Sequence, residues 1–400
     1  MKFVCDFKAL LSSINNIAVV ADDSNSVDDI KNVIFQFDKT IDSEHKVVLI
    51  GVNNYIVYKH FLKENEEYTV EFNENDIDDI YYMQIKTKDL LSVLKTYSGL
   101  YRTKAESLSF EPLDNGIIEC KVVEKDLNDN STKLSIWKFD NVPMKELIIK
   151  SIEDSVTFPY VTDLSKDDFV RHITAMKDIL TPNVTNYLGN VMFDADYVYA
   201  IQQAFLTFMN NKINQKNVFV KISLSYKIVQ FLDKVLCKQD NFKMARNGDK
   251  LYLRTNSSES YIRVSDKVTE YQAYVQGIEK TRGICVDRLL LKDNLKRLAL
   301  GDDTVVTIVV RPNNNTITLK TQRYSQDLPI QEKFNLDAVE DFSFEISKDI
   351  FNKILIGDDK DFSSNTKIYF TEPNNERKMS VYLTDDTEDW FTRIHVQIKG

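Results

Sequence analysis

Glycine and proline are scarce in this 400-residue sequence, which contains 10 glycines and 7 prolines. So few of either residue leave little material for collagen-like segments or flexible linkers. Neither the GxGxxG nor the GxxxxGK[ST] pattern of a phosphate-binding loop occurs. The sequence therefore gives no support to a nucleotide site of either kind.

Cysteine is equally scarce, and the four cysteines at positions 5, 120, 237 and 285 form no CxxC pair. Neither a disulfide framework nor a zinc site is indicated by this spacing. We expect all four to be buried thiols.

The four histidines lie at positions 45, 60, 172 and 395, and none belongs to an HxH or HExxH pattern. His172, beside Arg171, is expected at a surface that faces solvent or phosphate rather than as a catalytic base. We find no nucleophile with a plausible base. The sequence therefore predicts a protein that is not an enzyme and that needs no metal or cofactor.

Long apolar runs are absent, and no segment approaches the roughly 20 apolar residues of a membrane span. The first residues, MKFVCDFKALLSS, lack the apolar core of a secretory signal. We expect a cytoplasmic chain with no membrane partner.

Acidic residues predominate, giving a formal net charge of -10. They crowd into 22–29 and 64–79, which are expected to form solvated loops or short edge strands. With 43% apolar residues, the chain is long enough for two to four compact domains.

One supersecondary pattern, a short strand that runs into an amphipathic helix, occurs six times. The six units span 1–17, 83–97, 160–180, 218–236, 284–300 and 342–355. Runs rich in Val, Ile, Phe and Tyr lie between them and predict antiparallel strands. We therefore predict an α+β fold of three similar domains, each with two strand-helix-strands units, at 1–147, 148–278 and 279–400.

Positive charge is concentrated on the helices. The segments 86–104, 218–238 and 282–298 together hold 14 positive and four negative residues. Such segregation lets an acidic protein present one positive surface to a polyanion. For any single helix, lysines that merely solvate an outer face are the favoured explanation, and it is the segregation across three repeats that favours a polyanion-binding surface.

The predicted DNA-contacting set combines these helices with weaker polar faces on the third and sixth. It comprises Lys86, Lys88, Lys95, Arg102, Lys104, Arg171, Lys177, Lys227, Lys234, Lys238, Arg288, Lys292, Lys296, Lys348 and Lys353. No helix-turn-helix or finger spacing occurs, and the aromatics follow strand and core spacings. Contacts would therefore be with phosphates, largely independent of sequence and sensitive to salt.

The order of six units, with basic helices in an acidic chain, resembles the bacterial-type DNA sliding clamp, the β subunit of the replicative polymerase. The resemblance covers essentially the whole chain. It includes the opening MKF with FKALLSSI, the segment NYLGNVMFD at 186–194, Thr269-Glu-Tyr271 and the terminal RIHVQIKG.

The resemblance implies that two chains join head to tail into a ring, with helices lining a channel for duplex DNA and sheets outside. It implies the replicative polymerase, the clamp loader and a second copy as further partners. Pairing of edge strands would form each junction. The expected edge in the first domain lies within Ile117–Val123 or Lys133–Phe139, and its partner lies near Leu298–Leu300.

The resemblance further implies an apolar groove between the second and third domains that receives a short peptide from polymerases and the clamp loader. Carried over by position, the groove comprises Leu188, Ile201, Phe205, Leu206, Tyr274 or Val275, Ile394, Val396 and Ile398. Three of these belong to VYAIQQAFLTF, which is predicted to be one strand. Ordinary core packing is the alternative for each of them.

Several segments depart from the family's pattern. Gln203–Leu206 replaces a small-His-Arg-Leu stretch, Val396–Gly400 replaces Met-Pro-Met-Arg-Leu, and the loop at 22–29 is acidic. This divergence and the Asn- and Lys-rich composition would suit a viral or mobile-element replication system. The remaining alternatives are a non-enzymatic β-rich structural or adaptor protein and a two-domain trimeric ring.

Overall fold

The computed structural model describes most of the chain. The described residues are 1–21, 31–40, 46–72, 79–101, 103–153, 162–163, 166–177, 179–180, 189–202, 205–213, 221–238, 243–268, 280–298, 304–336, 340–354 and 364–399. Helices and antiparallel sheets both occur there, which confirms the α+β class. No helix in these ranges is long and apolar enough to cross a membrane.

The described residues contain seven α-helices. Their bounds are α1 Phe7–Ala21, α2 Thr87–Ser98, α3 Glu146–Glu153, α4 Lys166–Lys177, α5 Tyr226–Lys234, α6 Arg288–Leu298 and α7 Lys348–Ile354. All except α3 follow a strand within a few residues, so the six predicted strand-helix units are confirmed. Helix α3 was not predicted from the sequence, and its Ile148 and Ile152 pack in a buried cluster with Ile34 and Ile50.

The same ranges contain 26 strands. In chain order they are β1 Lys2–Asp6, β2 Asn32–Asp38, β3 Val47–Val52, β4 Ile56–Phe61, β5 Tyr68–Glu71, β6 Ile80–Lys86, β7 Thr103–Pro112, β8 Ile117–Asp126, β9 Thr132–Asp140, β10 Thr162–Asp163, β11 Asn190–Phe193, β12 Tyr197–Ile201, β13 Phe205–Asn210, β14 Ile222–Ser225, β15 Lys243–Asn247, β16 Lys250–Arg254, β17 Ser258–Arg263, β18 Gly283–Asp287, β19 Val305–Arg311, β20 Thr316–Lys320, β21 Ser325–Pro329, β22 Glu332–Phe334, β23 Phe342–Ser347, β24 Asn365–Phe370, β25 Lys378–Asp385 and β26 Trp390–Lys399. The acidic run at 64–79 contributes the short edge strand β5, as expected.

The chain divides into two compact units, the first comprising Met1–Leu164 and Gln230–Val264. This unit contains a five-stranded sheet, β5-β1-β7-β8-β9, and an eight-stranded sheet, β10-β15-β16-β17-β4-β3-β2-β6. Between the two sheets lies an aromatic core in which Phe3 contacts Phe35, Phe37 and Phe110 at ring-centroid distances of 5.4 to 6.0 Å. Burial of these rings fixes how the sheets face each other.

Helix α1 buries Leu10, Ile14 and Ile17 and packs on β3. The approach is closest at Gly51, where an added Cβ would lie 3.0 Å from Ile17 Cγ2 and 3.3 Å from the Ile17 carbonyl oxygen. A larger residue at this position would push the helix away from the sheet.

The second unit comprises Ser165–Val229 and Ser265–Gly400. Its main sheet runs β14-β11-β12-β13-β26-β23-β19-β20-β21, and β25, β24, β18 and β22 extend it from β26. The fully buried Trp390 opens β26, the strand that joins β13 to both β25 and β23.

The units divide the chain differently from the three predicted domains. One eight-stranded sheet combines β2, β3, β4 and β6 with β10, β15, β16 and β17, so backbone pairing crosses the predicted boundary at 147. A division by compactness follows such pairing, whereas the sequence division follows the repeat. The three domains at 1–147, 148–278 and 279–400 stay a prediction.

Candidate functional site

Helix α2 has the two-sided character that its sequence predicts. Leu90, Leu94 and Tyr97 are buried on one side, whereas Lys88 and Lys95 are exposed on the other. Residues three and four apart lie on one helix face, which explains how a single short helix separates core from charge.

Seven members of the predicted DNA-contacting set are exposed, namely Lys86, Lys88, Lys95, Lys104, Lys234, Lys238 and Lys296. Four are partly buried, namely Lys177, Lys227, Lys292 and Lys348. Lys353 belongs to α7, and Arg102 lies outside the described residues. The remaining two, Arg171 and Arg288, have other environments.

Arg288 is buried, contrary to its predicted contact with DNA. Its side chain is 1% exposed, and its guanidinium carbon lies 5.8 Å from the centre of the Trp390 ring. A guanidinium enclosed in this way stabilises the interior through a cation–π contact and cannot reach a phosphate in solvent. We therefore remove Arg288 from the proposed DNA-contacting set.

Arg171 is engaged within the second unit. Its Nη2 lies 3.5 Å from Asp389 Oδ2, and Lys212 Nζ lies 2.5 Å from the same oxygen. Burial opposes ionisation of Asp389, but the hydrogen bond from Lys212 and the two positive charges together lower its pKa. The arrangement ties α4 to the turn before β26.

His172 is fully buried, so the expectation that it faces solvent or phosphate is wrong. Its Nε2 accepts a hydrogen bond from the backbone N–H of Lys212 at 3.2 Å. Burial, reinforced by the charges of Arg171 and Lys212, lowers its pKa to about 4. The imidazole is therefore neutral at neutral pH and belongs to the packing of α4.

Strand β9 is an open edge of the five-stranded sheet in the part of the chain that the structure describes. Strand β8 lies between β7 and β9 and is hydrogen-bonded on both sides. Of the two predicted junction segments, Ile117–Val123 is therefore excluded, because an interior strand has no backbone groups left for another chain. Lys133–Phe139 lies within β9 and is retained.

The expected partner near Leu298–Leu300 is not a described strand. Leu298 ends helix α6 and is 2% exposed, and 299–300 lie outside the described residues. Strand β21 ends the main path of the second unit's sheet and pairs only with β20 in that path.

The segment VYAIQQAFLTF forms a hairpin rather than one strand. Strands β12 and β13 are antiparallel, Ile201 pairs with Leu206, and the Gln202 N–H donates to the Phe205 carbonyl at 2.8 Å. A sequence of continuous apolar character conceals this reversal, because its turn contains neither Gly nor Pro.

The described groove residues divide between the two faces of this sheet. Phe205 pairs with Ile394 across β13 and β26, whereas Leu206 pairs with Arg393 and with Ile201. Paired residues project to the same face and adjacent residues to opposite faces. Phe205, Ile394 and Val396 therefore share one face, and Leu206 and Ile201 share the other.

The face that carries Phe205 is interior. Phe205, Ile394 and Val396 are at most 7% exposed, and the Thr207 and Thr392 hydroxyls, both buried, lie 2.9 Å apart. These three residues therefore belong to the interior, although Ile398 farther along the same face is partly exposed.

The face that carries Leu206 has an accessible margin. Leu206 and Ile201 belong to a buried cluster against which Tyr197 and Phe391 pack while remaining partly exposed. The rings of Phe391 and Phe208 stack at 5.1 Å. This face therefore combines an apolar interior with aromatic groups at the surface.

Polar residues that were not predicted from the sequence lie on the same face. Arg393 is centred 5.6 Å over the Tyr382 ring, and its Nη2 lies 3.5 Å from Ser380 Oγ. Ser380 Oγ lies 3.0 Å from Nδ1 of the exposed His395. Alternation along β26 could have identified Arg393 and His395, because they flank the apolar positions 394 and 396.

The remaining predicted groove residues do not help to locate the groove. Leu188, Tyr274 and Val275 lie outside the described residues. Ile398 is partly buried and pairs with Phe344 of β23. Across the described ranges, no group of three or more His, Cys, Asp or Glu residues is placed to hold a metal ion.

Comparison of the sequence with protein families and with curated proteins finds no match. Solved structures do match over the full length. DNA polymerase III subunit beta from Borrelia burgdorferi is 12% identical with a TM-score of 0.73, covering 100% of this chain and 98% of that one. The Bacillus subtilis sliding clamp is 12% identical with a TM-score of 0.72, covering 99% and 98%. The Helicobacter pylori beta clamp, bound to a DNA ligase peptide, is 12% identical with a TM-score of 0.68, covering 99% of each chain. The chain therefore has the fold of bacterial DNA polymerase III beta sliding clamps, as its sequence predicts.

Proposed function

We propose that this protein is a sliding clamp, a non-enzymatic processivity factor that encircles duplex DNA and tethers a replicative polymerase in the cytoplasm. The observation that carries the proposal is the exposed lysines on repeated helices of an acidic chain with the clamp fold. Phosphates attract such lysines without regard to base sequence, which suits a protein that slides. The ring would hold DNA by topology, and a clamp loader would open it.

The proposed ring consists of two copies joined head to tail. Strand β9 of one copy would pair with an edge strand of the other, and β21 is our candidate for that strand. Leu134 and Ile136, which are 58% and 54% exposed on β9, would be covered at the junction. Closed symmetry would leave neither β9 edge open to aggregation.

The proposed peptide site lies on the sheet face that carries Ile201 and Leu206. Tyr197 and Phe391 at its margin would hold an apolar side chain of the polymerase or loader peptide. Arg393 is proposed as a polar neighbour of this apolar anchor. Phe205, Ile394 and Val396, on the opposite face, are left out. Ile201 and Leu206 are equally buried, and the site is proposed on their face because Tyr197 and Phe391 at its margin are partly exposed.

The ring is tested by retention on closed circular and linear duplexes of the same length. A clamp should remain on the circle and slip off the open ends. Equal retention on both would contradict encirclement, and retention on neither would favour the structural or adaptor alternative.

The lysine surface is tested by charge reversal. Replacing Lys88, Lys95, Lys234 and Lys292 with glutamate should weaken retention and lower the salt slope by about 0.9 for each lysine that neutralises a phosphate. The matched control is a second double variant. Lys88→Glu combined with Lys95→Glu is compared with Lys243→Glu combined with Lys250→Glu, which changes two exposed lysines on β15 and β16. Equal effects of the two pairs on retention would contradict a specific helical surface.

A further inference from the structure

The open edge strand β9 is joined to the basic helix α2 by one side-chain pair. Trp137 Nε1 donates a hydrogen bond to the Tyr97 hydroxyl at 2.9 Å. The two rings meet edge to face, with centroids 6.5 Å apart and planes at 88°. Tyr97 is 7% exposed and projects from the buried side of α2.

Trp137 lies on the inward face of β9, opposite to Leu134 and Ile136. It pairs with the buried Cys120 of β8, whereas Leu134 and Ile136 pair with Val123 and Lys121 and project to the other face. A shift of one residue would exchange the two faces of the strand. Such a shift would break the Tyr97 contact and turn Leu134 and Ile136 inward.

Strand β9 is held by its backbone pairing with β8 and, among the described residues, by few side-chain contacts, one of them between Lys133 Nζ and Asp126 Oδ2 at 3.4 Å. Phe139 is its one buried residue, and seven of its nine residues are exposed. Ser135 donates a hydrogen bond to Glu124 Oε1 at 2.9 Å. The Trp137–Tyr97 pair is thus the contact that ties the middle of the strand to a helix.

We infer that Trp137 is a positioning residue of the subunit junction, which acts through Tyr97 to present β9 in one register to a second copy of this chain. The inference rests on the proposed ring. The occupant is a second copy, as in the proposed ring, and β9 offers it open backbone groups and two exposed aliphatic side chains, the requirements for adding a strand. Since Lys88 and Lys95 lie on α2, the same pair links the junction to the proposed DNA surface.

The test is a double-mutant cycle on the dissociation constant of the dimer, measured by sedimentation of the full chain. Trp137→Phe removes the donor and Tyr97→Phe removes the acceptor, while both keep an aromatic ring. Each should raise the dissociation constant about fivefold, as expected for one net hydrogen bond. The dissociation constant of the double variant should not exceed that of the single variant with the larger effect, because both changes remove the same bond.

Tyr101→Phe is the matched control, since Tyr101 is 100% exposed and this change removes the same hydroxyl. It should leave the dissociation constant unchanged. Hydrogen exchange of the β9 amides separates positioning from general destabilisation: Trp137→Phe should speed exchange in β9 but not in β3. If Trp137→Phe does not fold, Tyr97→Phe carries the test.

A wild-type dimer that both single variants leave unaffected, or that they weaken additively, would overturn the inference while the proposed ring survives. A wild-type chain that remains monomeric at high concentration would overturn the junction and the inference together.

Discussion

Phe205 and Leu206 are adjacent in β13, yet their side chains lie on opposite faces of the sheet. Phe205 pairs with Ile394 in the interior, and Leu206 pairs with Arg393 on the face whose margin is accessible. Both residues were predicted from the sequence to line one groove. Alternation along a strand allows only one of them to face a bound peptide.

Two aromatic truncations should therefore have different effects. Phe205→Ala removes a buried side chain and should lower the free energy of unfolding by about 3 to 5 kcal/mol. Phe391→Ala should weaken binding of a polymerase-derived peptide by about thirtyfold, the loss of a hot-spot anchor of ~2 kcal/mol. Peptide titration below the unfolding temperature of each variant separates the loss of affinity from the loss of stability. A larger affinity loss from Phe205→Ala would place the groove on the other face.

Deletion of 397–400 should destabilise the second unit. Ile398 was expected to line the peptide groove, and a role in peptide binding alone would leave the fold intact after this deletion. Ile398, however, pairs with Phe344, and its N–H donates to the Arg377 carbonyl at 2.9 Å. Removing these bonds should cost about 2 kcal/mol or more, visible in thermal unfolding. An unchanged melting temperature would contradict this structural role and indicate that the tail serves only peptide binding.

Arg171 and Lys95 should respond differently to the same neutral substitution. Lys95→Gln should lower the salt slope of DNA retention by about 0.9. Arg171→Gln should leave the slope unchanged and reduce stability, because the Arg171 side chain pairs with Asp389. If both variants lowered the salt slope of DNA retention equally, Arg171 would belong to the DNA-contacting set after all.

Acid should destabilise the second unit through His172. The unfolded imidazole has a pKa near 6.5 and the folded one about 4, so the unfolded chain binds more protons between these values. The free energy of unfolding should therefore fall as the pH is lowered from about 6.5 to 4, by up to ~3 kcal/mol.

Substitution of His172 by Gln tests this assignment, since an amide oxygen can accept the Lys212 N–H without titrating. The variant should lose part of the pH dependence. Burial also lowers the pKa of His60, in the first unit, to about 4. His60 should therefore contribute separately to the pH dependence of stability, and His60→Gln should remove that contribution. A pH profile unchanged by both substitutions would contradict the assignment.

The sequence by itself determined the six strand-helix units and the charged faces of their helices. Both are local properties: the period changes from 2 to 3.6 within a few residues, and Lys88 and Lys95 lie opposite Leu90 and Leu94 whatever surrounds the helix. The same reasoning located β9 as an extended segment, but it predicted one strand where β12 and β13 form a hairpin.

Tertiary structure alone decided which of those features can reach a partner. Arg288 has the sequence context of a surface cation, but its side chain lies against Trp390, about 100 residues away in the chain. Strand β8 is as apolar as β9 and is an interior strand only because β7 and β9 pair with it on both sides. Burial and strand order arise from contacts between distant segments. A periodic pattern within one segment does not determine those contacts.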